Sequence, residues 1–257
     1  MENIKKTEIA EVYSSKNIAP DIYDIELISP EIASVSLPGQ FVEIYPDNGV
    51  NILPRPISIC EINKERGSLR IVFQKVGAGT TLFSRLKEKD TVRLMGPCGN
   101  GYPLSLCKDK HTLLVGGGIG VPPLLEAAKN IEGKKTIVLG YRTSPFLCEE
   151  FKKYGDVHVC TDDGSVGFHG NTVAFLEEKN IKGDIILSCG PKIMLKFLSE
   201  FAEKNNIDCY VSMEERMACG IGACVGCVVQ VYENGEKTYK KVCKDGPVFN
   251  SKEVVWQ

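Results

Sequence analysis

The sequence predicts a β + α/β protein: an N-terminal antiparallel β-barrel, a parallel-sheet α/β domain, and a small cysteine-rich lobe at the C-terminus. Three observations predict it. Before Lys108, short apolar runs are broken by turn residues. From there on, similar runs alternate with helical patterns. After about Met213, periodicity gives way to cysteine and glycine. The corresponding segments are 1–107, 108–212 and 213–257.

In the first segment Ile22–Ile28 alternates, Phe41–Tyr45 is a short apolar run after Pro38-Gly39, and Leu69–Phe73 is another. Turns such as Pro46-Asp47-Asn48-Gly49 separate them. Short strands with frequent turn signals suggest a small antiparallel barrel or a sandwich. In the second segment the apolar runs Thr112–Val115, Thr136–Leu139, Asp156–Cys160, Asp184–Ser188 and Asp208–Val211 read as strands. Helical stretches lie between several of them: Pro122–Asn130, Asn171–Glu178 and Pro191–Asn205. The last puts Met194, Phe197, Leu198 and Phe201 on one face. Alternating strands and helices imply βαβ units and a parallel sheet. In the third segment Val228–Tyr232, a turn at Glu233-Asn234-Gly235, and Lys237–Val242 read as a hairpin.

Of the 257 residues 43% are hydrophobic and 25% charged, the balance of a folded chain and not of a disordered one. Lys and Arg total 31 and Asp and Glu 33, a net charge of −2. That gives no support to a nucleic-acid or anionic-membrane surface. No apolar run reaches the ~18 residues a membrane span needs. Met1–Ala10 is polar, without the apolar core of a signal peptide, so a cytoplasmic location is expected. Eleven cysteines in such a chain argue for a reducing compartment and against a disulfide framework.

Four of those cysteines are clustered: Cys219, Cys224, Cys227 and Cys243. Their spacing, C-x4-C-x2-C-x15-C, is the plant-type [2Fe–2S] ferredoxin pattern. Two irons bridged by sulfides need four thiolates converging on a small volume. Gly220, Gly222 and Gly226 let backbone N–H groups approach the sulfurs. A structural zinc site more often shows two knuckles, each with a C-x2-C-like pair. Here three ligands share one loop.

Two glycine loops also carry chemistry. Gln74-Lys75-Val76-Gly77-Ala78-Gly79-Thr80-Thr81 precedes a helix-like Leu82–Leu86 and could hold a phosphate at a helix N-terminus; an ordinary turn with a Thr N-cap is the plainer reading. Val115-Gly116-Gly117-Gly118-Ile119-Gly120-Val121 ends a strand and opens a helix. It departs from G-x-G-x-x-G at Val121 and lacks the acidic residue about twenty positions on. A glycine turn at a parallel strand's carboxyl end still reads as a ligand crevice. The same edge should carry Thr161-Asp162-Asp163-Gly164 and Cys189-Gly190-Pro191. His111, His158 and His169 lie in strand or loop contexts without a paired cysteine or carboxylate motif, so no catalytic residue is assigned.

Arg55-Pro56-Ile57-Ser58, Gly77-Ala78-Gly79-Thr80, Gly116-Gly117-Gly118-Ile119-Gly120 and Cys189-Gly190-Pro191, in that order after a barrel-like start, resemble the ferredoxin–NADP reductase superfamily. The segment Glu214–Cys227 is similar to one branch of it, the electron-transfer subunits of NAD-dependent (type B) dihydroorotate dehydrogenases. The resemblance implies a flavin-binding barrel, a nucleotide-binding α/β domain and a [2Fe–2S] lobe. It implies FAD and one [2Fe–2S] cluster as cofactors, with NAD as co-substrate. Electrons would pass between the FMN of a separate catalytic subunit and NAD+ through the cluster and FAD, in pyrimidine (UMP) biosynthesis. The partner would be that FMN-containing dihydroorotate dehydrogenase catalytic subunit, in a 2+2 heterotetramer.

Carried over by position, Arg55 would pair with the flavin pyrophosphate, Pro56 would be among the flavin-binding residues, and Ser58 would lie near the isoalloxazine N5. Ile57 stands where the superfamily often has an aromatic residue. Val72, Phe73 and Gln74 run along the flavin, and Gly79 with Thr80 binds its phosphate. Gly116, Gly117, Gly118 and Gly120 face NAD, Cys189 lies near the nicotinamide, and Cys219, Cys224, Cys227 and Cys243 hold the cluster. The alternative within the superfamily is a flavin/iron–sulfur subunit of an NAD(P)H–ferredoxin oxidoreductase or sulfide dehydrogenase. That branch carries Asp at the first cluster position, where this chain has Cys219. A zinc-stabilised binding module is the alternative of another class; it would have no need of three glycine loops on one sheet edge.

Overall fold

The computed structural model describes residues 5–46, 49 and 52–256. The predicted turn at Asp47-Asn48 lies outside them. The chain forms two compact units. One comprises Met1–Gly101, Glu214–Val229 and Tyr239–Pro247; the other comprises Tyr102–Met213, Gln230–Thr238 and Val248–Gln257.

In the first unit six antiparallel strands close into a barrel. They are β1 (Lys6–Ala19), β2 (Ile22–Ile28), β3 (Phe41–Tyr45), β4 (Arg55–Asn63), β5 (Ser68–Gln74) and β6 (Thr91–Cys98), in the order β1-β2-β5-β4-β3-β6. Closure comes from β6 pairing back onto β1, which leaves no open sheet edge. Alternation fills the interior: Leu69, Ile71 and Phe73 on β5 meet Ile25 and Leu27 on β2, and Ala10 and Val12 on β1. Two short helices plug it. Helix α1 (Pro30–Val35) inserts Ile32 and Ala33, and helix α2 (Ala78–Phe83) inserts Phe83. The α1 N-terminus is satisfied by Glu8 of β1, whose carboxylate accepts from the Glu31 and Ile32 N–H groups at 3.1 and 2.9 Å. Helix α2 begins at Ala78, before the expected Leu82. Gly77 is its N-cap, and the Thr80 hydroxyl accepts from the Val76 and Gly77 N–H groups at 3.0 and 3.1 Å.

The second unit is built on a seven-stranded sheet. Its strands are β7 (Thr112–Gly117), β8 (Lys135–Tyr141), β9 (Asp156–Thr161), β10 (Phe168–His169), β11 (Ile185–Cys189), β12 (Asp208–Ser212) and β15 (Val248–Asn250). The intervening β13 (Val228–Glu233) and β14 (Glu236–Lys241) form the expected hairpin. Its two-residue turn, Asn234-Gly235, has both φ values positive (53° and 83°), as a hairpin turn of this length demands. The large sheet runs β10-β9-β8-β7-β11-β12-β15; all of it is parallel except β15, which lies antiparallel to β12. Helices α3 (Pro123–Asn130), α4 (Cys148–Phe151), α5 (Thr172–Glu178) and α6 (Lys192–Lys204) accompany it. The face predicted for α6 is rotated from the observed one. Leu195, Leu198, Ser199, Phe201 and Ala202 are buried, while Phe197 is 51% exposed. The buried stripe includes small Ala202 and Ser199, whose hydroxyl donates to the Ser251 carbonyl at 3.4 Å, so it is not the most hydrophobic one.

Candidate functional site

The structure brings Arg-Pro-Ile-Ser and Gly-Ala-Gly-Thr together in the barrel unit. Arg55, Pro56, Ile57 and Ser58 open β4, half-buried, paired with Ile44, Glu43, Val42 and Phe41 of β3. The Arg55 side chain crosses to the N-terminus of α2. A Cβ on Gly79 would lie 2.6 Å from Arg55 Nε, so glycine is required there for the guanidinium to sit against the backbone. Arg55 Nη1 donates to the Leu53 carbonyl at 2.6 Å. A cation beside the first N–H groups of a helix suits an anion such as a pyrophosphate. Val72 and Phe73 are buried, and Phe73 stacks on Tyr23 in the barrel interior with ring centroids 5.9 Å apart. From Phe73, then, only backbone faces outward; the next residue, Gln74, is exposed.

The cluster loop belongs to the same unit. Gly220 sits against the barrel: a Cβ there would be 2.6 Å from Met95 Cε and 2.8 Å from Glu43 Cγ. The Cys224 N–H donates to Cys219 Sγ at 3.3 Å. Burial pushes the Cys219 thiol up, but hydrogen bonds from the Cys224 backbone and side chain and from the Ile221 and Ala223 N–H groups outweigh it and bring the thiol down to about 6. Cys227 and Cys243 form a second pair. They flank the hairpin, the Val242 N–H donates to the Cys227 carbonyl at 2.9 Å, and the two thiols interact. Burial, then Cys227, pushes the Cys243 thiol up to about 12. The four cysteines thus stand as two pairs, Cys219 with Cys224 and Cys227 with Cys243. A two-iron cluster needs that donor set, two thiolates for each iron. Among the described residues no group of three or more His, Cys, Asp or Glu surrounds a single-ion position. Ile221 and Val225, at the loop's tip, are exposed.

The sequence reading missed Glu43. It is buried on β3, and neither carboxylate oxygen has a hydrogen-bond partner. Burial, then the Cys219 charge, pushes its carboxyl up to about 7, against the pull of Lys5 and Arg55. An acid flanked by Phe-Val and Ile-Tyr in a strand is the only trace it leaves in the sequence.

In the second unit the glycine loops meet at the sheet's carboxyl edge. Strand order reverses at β7, which has β8 on one side and β11 on the other. Ligands of open α/β sheets bind outside such a switch point. Gly116 pairs with Cys189 across β7 and β11. A Cβ on Gly120 would lie 2.5 Å from the Cys189 carbonyl group, so the two loops pack backbone on backbone. Gly117 meets Met194 Sδ at 2.5 Å from its Cβ position, whereas Gly118, at φ +53°, opens onto free space. The Thr161–Gly164 loop follows β9 on the same edge, two strands away. Two histidines stand apart from all of this: His111 Nε2 lies 2.9 Å from Thr136 Oγ1 and His158 Nε2 3.3 Å from Asp156. His169 pairs with Thr161 and lies against Gly164 of that loop, where a Cβ would be 2.8 Å from its ring.

A barrel with an Arg-clamped glycine turn, a parallel sheet with glycine loops at its switch point, and a paired-cysteine loop define a flavin- and iron–sulfur-type reductase of the ferredoxin–NADP reductase class. A solved NADH-dependent reduced ferredoxin–NADP oxidoreductase, described for flavin-based electron bifurcation, superimposes with a TM-score of 0.87 at 32% identity, over 98% of this chain and 91% of that one. The ferredoxin reductase of carbazole 1,9a-dioxygenase shares the fold, with a TM-score of 0.65 at 18% identity over 79% of this chain and 67% of that one. Residues 214–255 match the iron–sulfur cluster binding domain of dihydroorotate dehydrogenase B. The dihydroorotate dehydrogenase B (NAD(+)) electron transfer subunit of Geobacillus kaustophilus is 43% identical over 95% of this chain and 96% of its own length. Its counterpart from Streptococcus pneumoniae serotype 4 is 41% identical over 95% and 99%. The chain belongs to the family of dihydroorotate dehydrogenase B electron-transfer subunits.

Proposed function

We propose that this chain carries electrons between a dihydroorotate dehydrogenase catalytic subunit and NAD+, in pyrimidine (UMP) biosynthesis. FAD and a [2Fe–2S] cluster are its cofactors and NAD its co-substrate. The observation that carries this reading is the arrangement of two cysteine pairs packed on the barrel that holds the Arg55–Gly79 clamp. Net flow runs from dihydroorotate to NAD+.

When bound, the flavin supplies the exchange between two-electron hydride transfer with NAD and one-electron transfer with the cluster. The chain's own residues bind and orient. Arg55, with Pro56 fixing its strand, holds the pyrophosphate, and Gly79 and Thr80 present the α2 N-terminus to it. Ile57 and Ser58 continue along the flavin, with Ser58 toward N5; Val72 and Phe73 offer backbone and Gln74 its amide. Gly116, Gly117, Gly118 and Gly120 shape the NAD crevice, with Cys189 at the nicotinamide end. Cys219, Cys224, Cys227 and Cys243 hold the irons. The functional segments are FAD-binding 1–107, NAD-binding 108–212 and cluster-binding 213–257. The partner is an FMN-containing catalytic subunit in a 2+2 heterotetramer, and the exposed Ile221 and Val225 beside the cluster loop support its approach there. Among the described residues no helix is long and apolar enough to cross a membrane; we assign the complex to the cytoplasm.

The structural likeness to the ferredoxin–NADP oxidoreductase favours a second reading, a flavin/iron–sulfur subunit serving ferredoxin or sulfide. Cys219 at the first cluster position weighs against it. The test is dihydroorotate-dependent NAD+ reduction by the native complex captured with this chain. Activity lost when the chain is stripped and restored on its return is the expected result. A complex whose flavin and cluster NADH still bleaches, but which ignores dihydroorotate, would transfer the assignment to the second reading.

A further inference from the structure

Lysines grip the cluster loop by its carbonyls. Lys5 Nζ donates to the Gly220 carbonyl at 2.6 Å and to the Cys243 carbonyl at 3.0 Å. Lys241 Nζ donates to the Gly222 carbonyl at 2.6 Å. A trans peptide is planar, so its C=O and N–H point in opposite directions. The Gly220 carbonyl shares its plane with the Ile221 N–H, and the Gly222 carbonyl with the Ala223 N–H. Once each carbonyl is fixed on an ammonium group, the matching N–H is turned the other way. The Cys224 N–H donates to Cys219 Sγ at 3.3 Å, and the Ile221 and Ala223 N–H groups face that same sulfur and help hold its thiol below its ordinary value.

We propose that Lys5 and Lys241 are positioning residues that hold the Gly220 and Gly222 peptides with their N–H groups aimed at the Cys219 sulfur, and that they thereby raise the reduction potential of the cluster. This rests on the reading of Cys219 as a cluster ligand. Reduction adds one negative charge to the cluster. Donors fixed on its sulfurs favour the more negative form, which moves the potential upward. A charge-assisted bond to the carbonyl also polarises the peptide and strengthens its N–H as a donor. Lys244 supplies an internal control. Its methylenes pack on Gly222, whose Cβ position lies 3.0 Å from Lys244 Cδ, yet among the described residues its ammonium grips neither glycine carbonyl.

The experiment is a redox titration of the full chain in its native complex, followed by the electron paramagnetic resonance signal of the reduced cluster. Lys5→Met and Lys241→Met should each lower the midpoint. The expected shift cuts the reduced-to-oxidised ratio at fixed potential about threefold to tenfold, tenfold being about 59 mV for one electron. Lys5→Arg and Lys241→Arg should recover most of it, and Lys244→Met should shift it far less. The hyperfine coupling of exchangeable amide deuterons to the cluster should weaken in the two Met variants. Unchanged midpoints at full cluster content overturn the proposal. So does a Lys244→Met shift as large as that of Lys241→Met, since loss of charge alone would then suffice. Lys241→Met carries the test should Lys5→Met fail to retain its cluster. A wild-type complex with no [2Fe–2S] signal would instead overturn the ligand reading itself.

Discussion

The two units build their candidate sites by different means. In the barrel unit the anchors are charged. Arg55 lies on Gly79, Lys5 and Lys241 grip the cluster loop, and Glu43 is buried beneath it. In the α/β unit the crevice is largely backbone: Gly116 pairs with Cys189, Gly120 packs on the Cys189-Gly190 backbone and Gly117 lies against Met194. Charge-assisted bonds are stronger than neutral ones and suit a cofactor that must stay. A crevice shaped by glycine backbone gives fit without a strong anchor, which suits a co-substrate that must leave after each turnover.

The hardest test of the contrast is at the cluster. Cys224→Ser should abolish the cluster's visible absorption and stop electron flow beyond the flavin, while NADH still reduces FAD. An unchanged spectrum would remove Cys224 from the ligand set. Next is Glu43, the buried charge with no hydrogen-bond partner. Its carboxyl is raised from 4.5 to about 7, chiefly by burial. The native state therefore holds this proton more tightly than the unfolded chain does. The contribution of Glu43 to stability is full below about pH 4.5 and is lost as pH rises through about 7, about 3 kcal/mol in all. Glu43→Gln should flatten that slope, read as denaturation midpoints at pH ~5.5 and ~8. A slope unaltered by the substitution would show that the Glu43 carboxyl is not raised and that the response arises elsewhere.

Arg55→Ala tests the anchor on the flavin side. Loss of a hydrogen bond to a charged group costs about 1.5–3 kcal/mol, so FAD should dissociate roughly tenfold to a hundredfold more readily. Flavin occupancy measured after dialysis checks it. The matching change in the other unit is Gly120→Val. Its side chain would enter a space where even a Cβ lies 2.5 Å from the Cys189 backbone. Overpacking of this kind costs about 1–3 kcal/mol. KM for NAD should rise about tenfold while FAD and iron contents hold. If flavin is lost as well, the two units do not divide the work as the contrast requires.

The same contrast explains what could be read from the sequence. The strands Ile22–Ile28 and Phe41–Tyr45 were legible to the residue, because period-two alternation and turn residues are local signals. The cysteine spacing and the glycine loops were legible as chemistry because few residue types can do what they do. Other features depend on distant partners. Lys5 acts on atoms 215 and 238 residues away, which no window along the chain can show. β15, three residues long, becomes a strand only because β12 offers it an edge. Phe197 looked like core and is exposed, while Ser199 and Ala202 of the same helix are buried in its place.

The smallest expected effect distinguishes the units by the sign of their response to pH. In the α/β unit His111 is held below its ordinary value, first by burial and then by Lys134, with Asp184 pulling the other way. Its ring nitrogen lies 2.9 Å from the Thr136 hydroxyl, a contact the neutral ring can make as donor or acceptor. A depressed histidine binds its proton less readily in the native state than in the unfolded chain. Its contribution is therefore present above the ordinary histidine range near pH 6.5 and is lost as pH falls through it toward the lower folded value. This is opposite to Glu43, whose contribution is lost as pH rises. His111→Gln keeps a polar contact to Thr136 and removes the titration, so it should slightly reduce the acid sensitivity of the α/β unit. Amide exchange of β7 and β8, followed between pH ~5.5 and ~7 and corrected for intrinsic rates, reads that unit by itself. Equal protection losses in wild type and His111→Gln would mean that the acid response of this unit arises elsewhere.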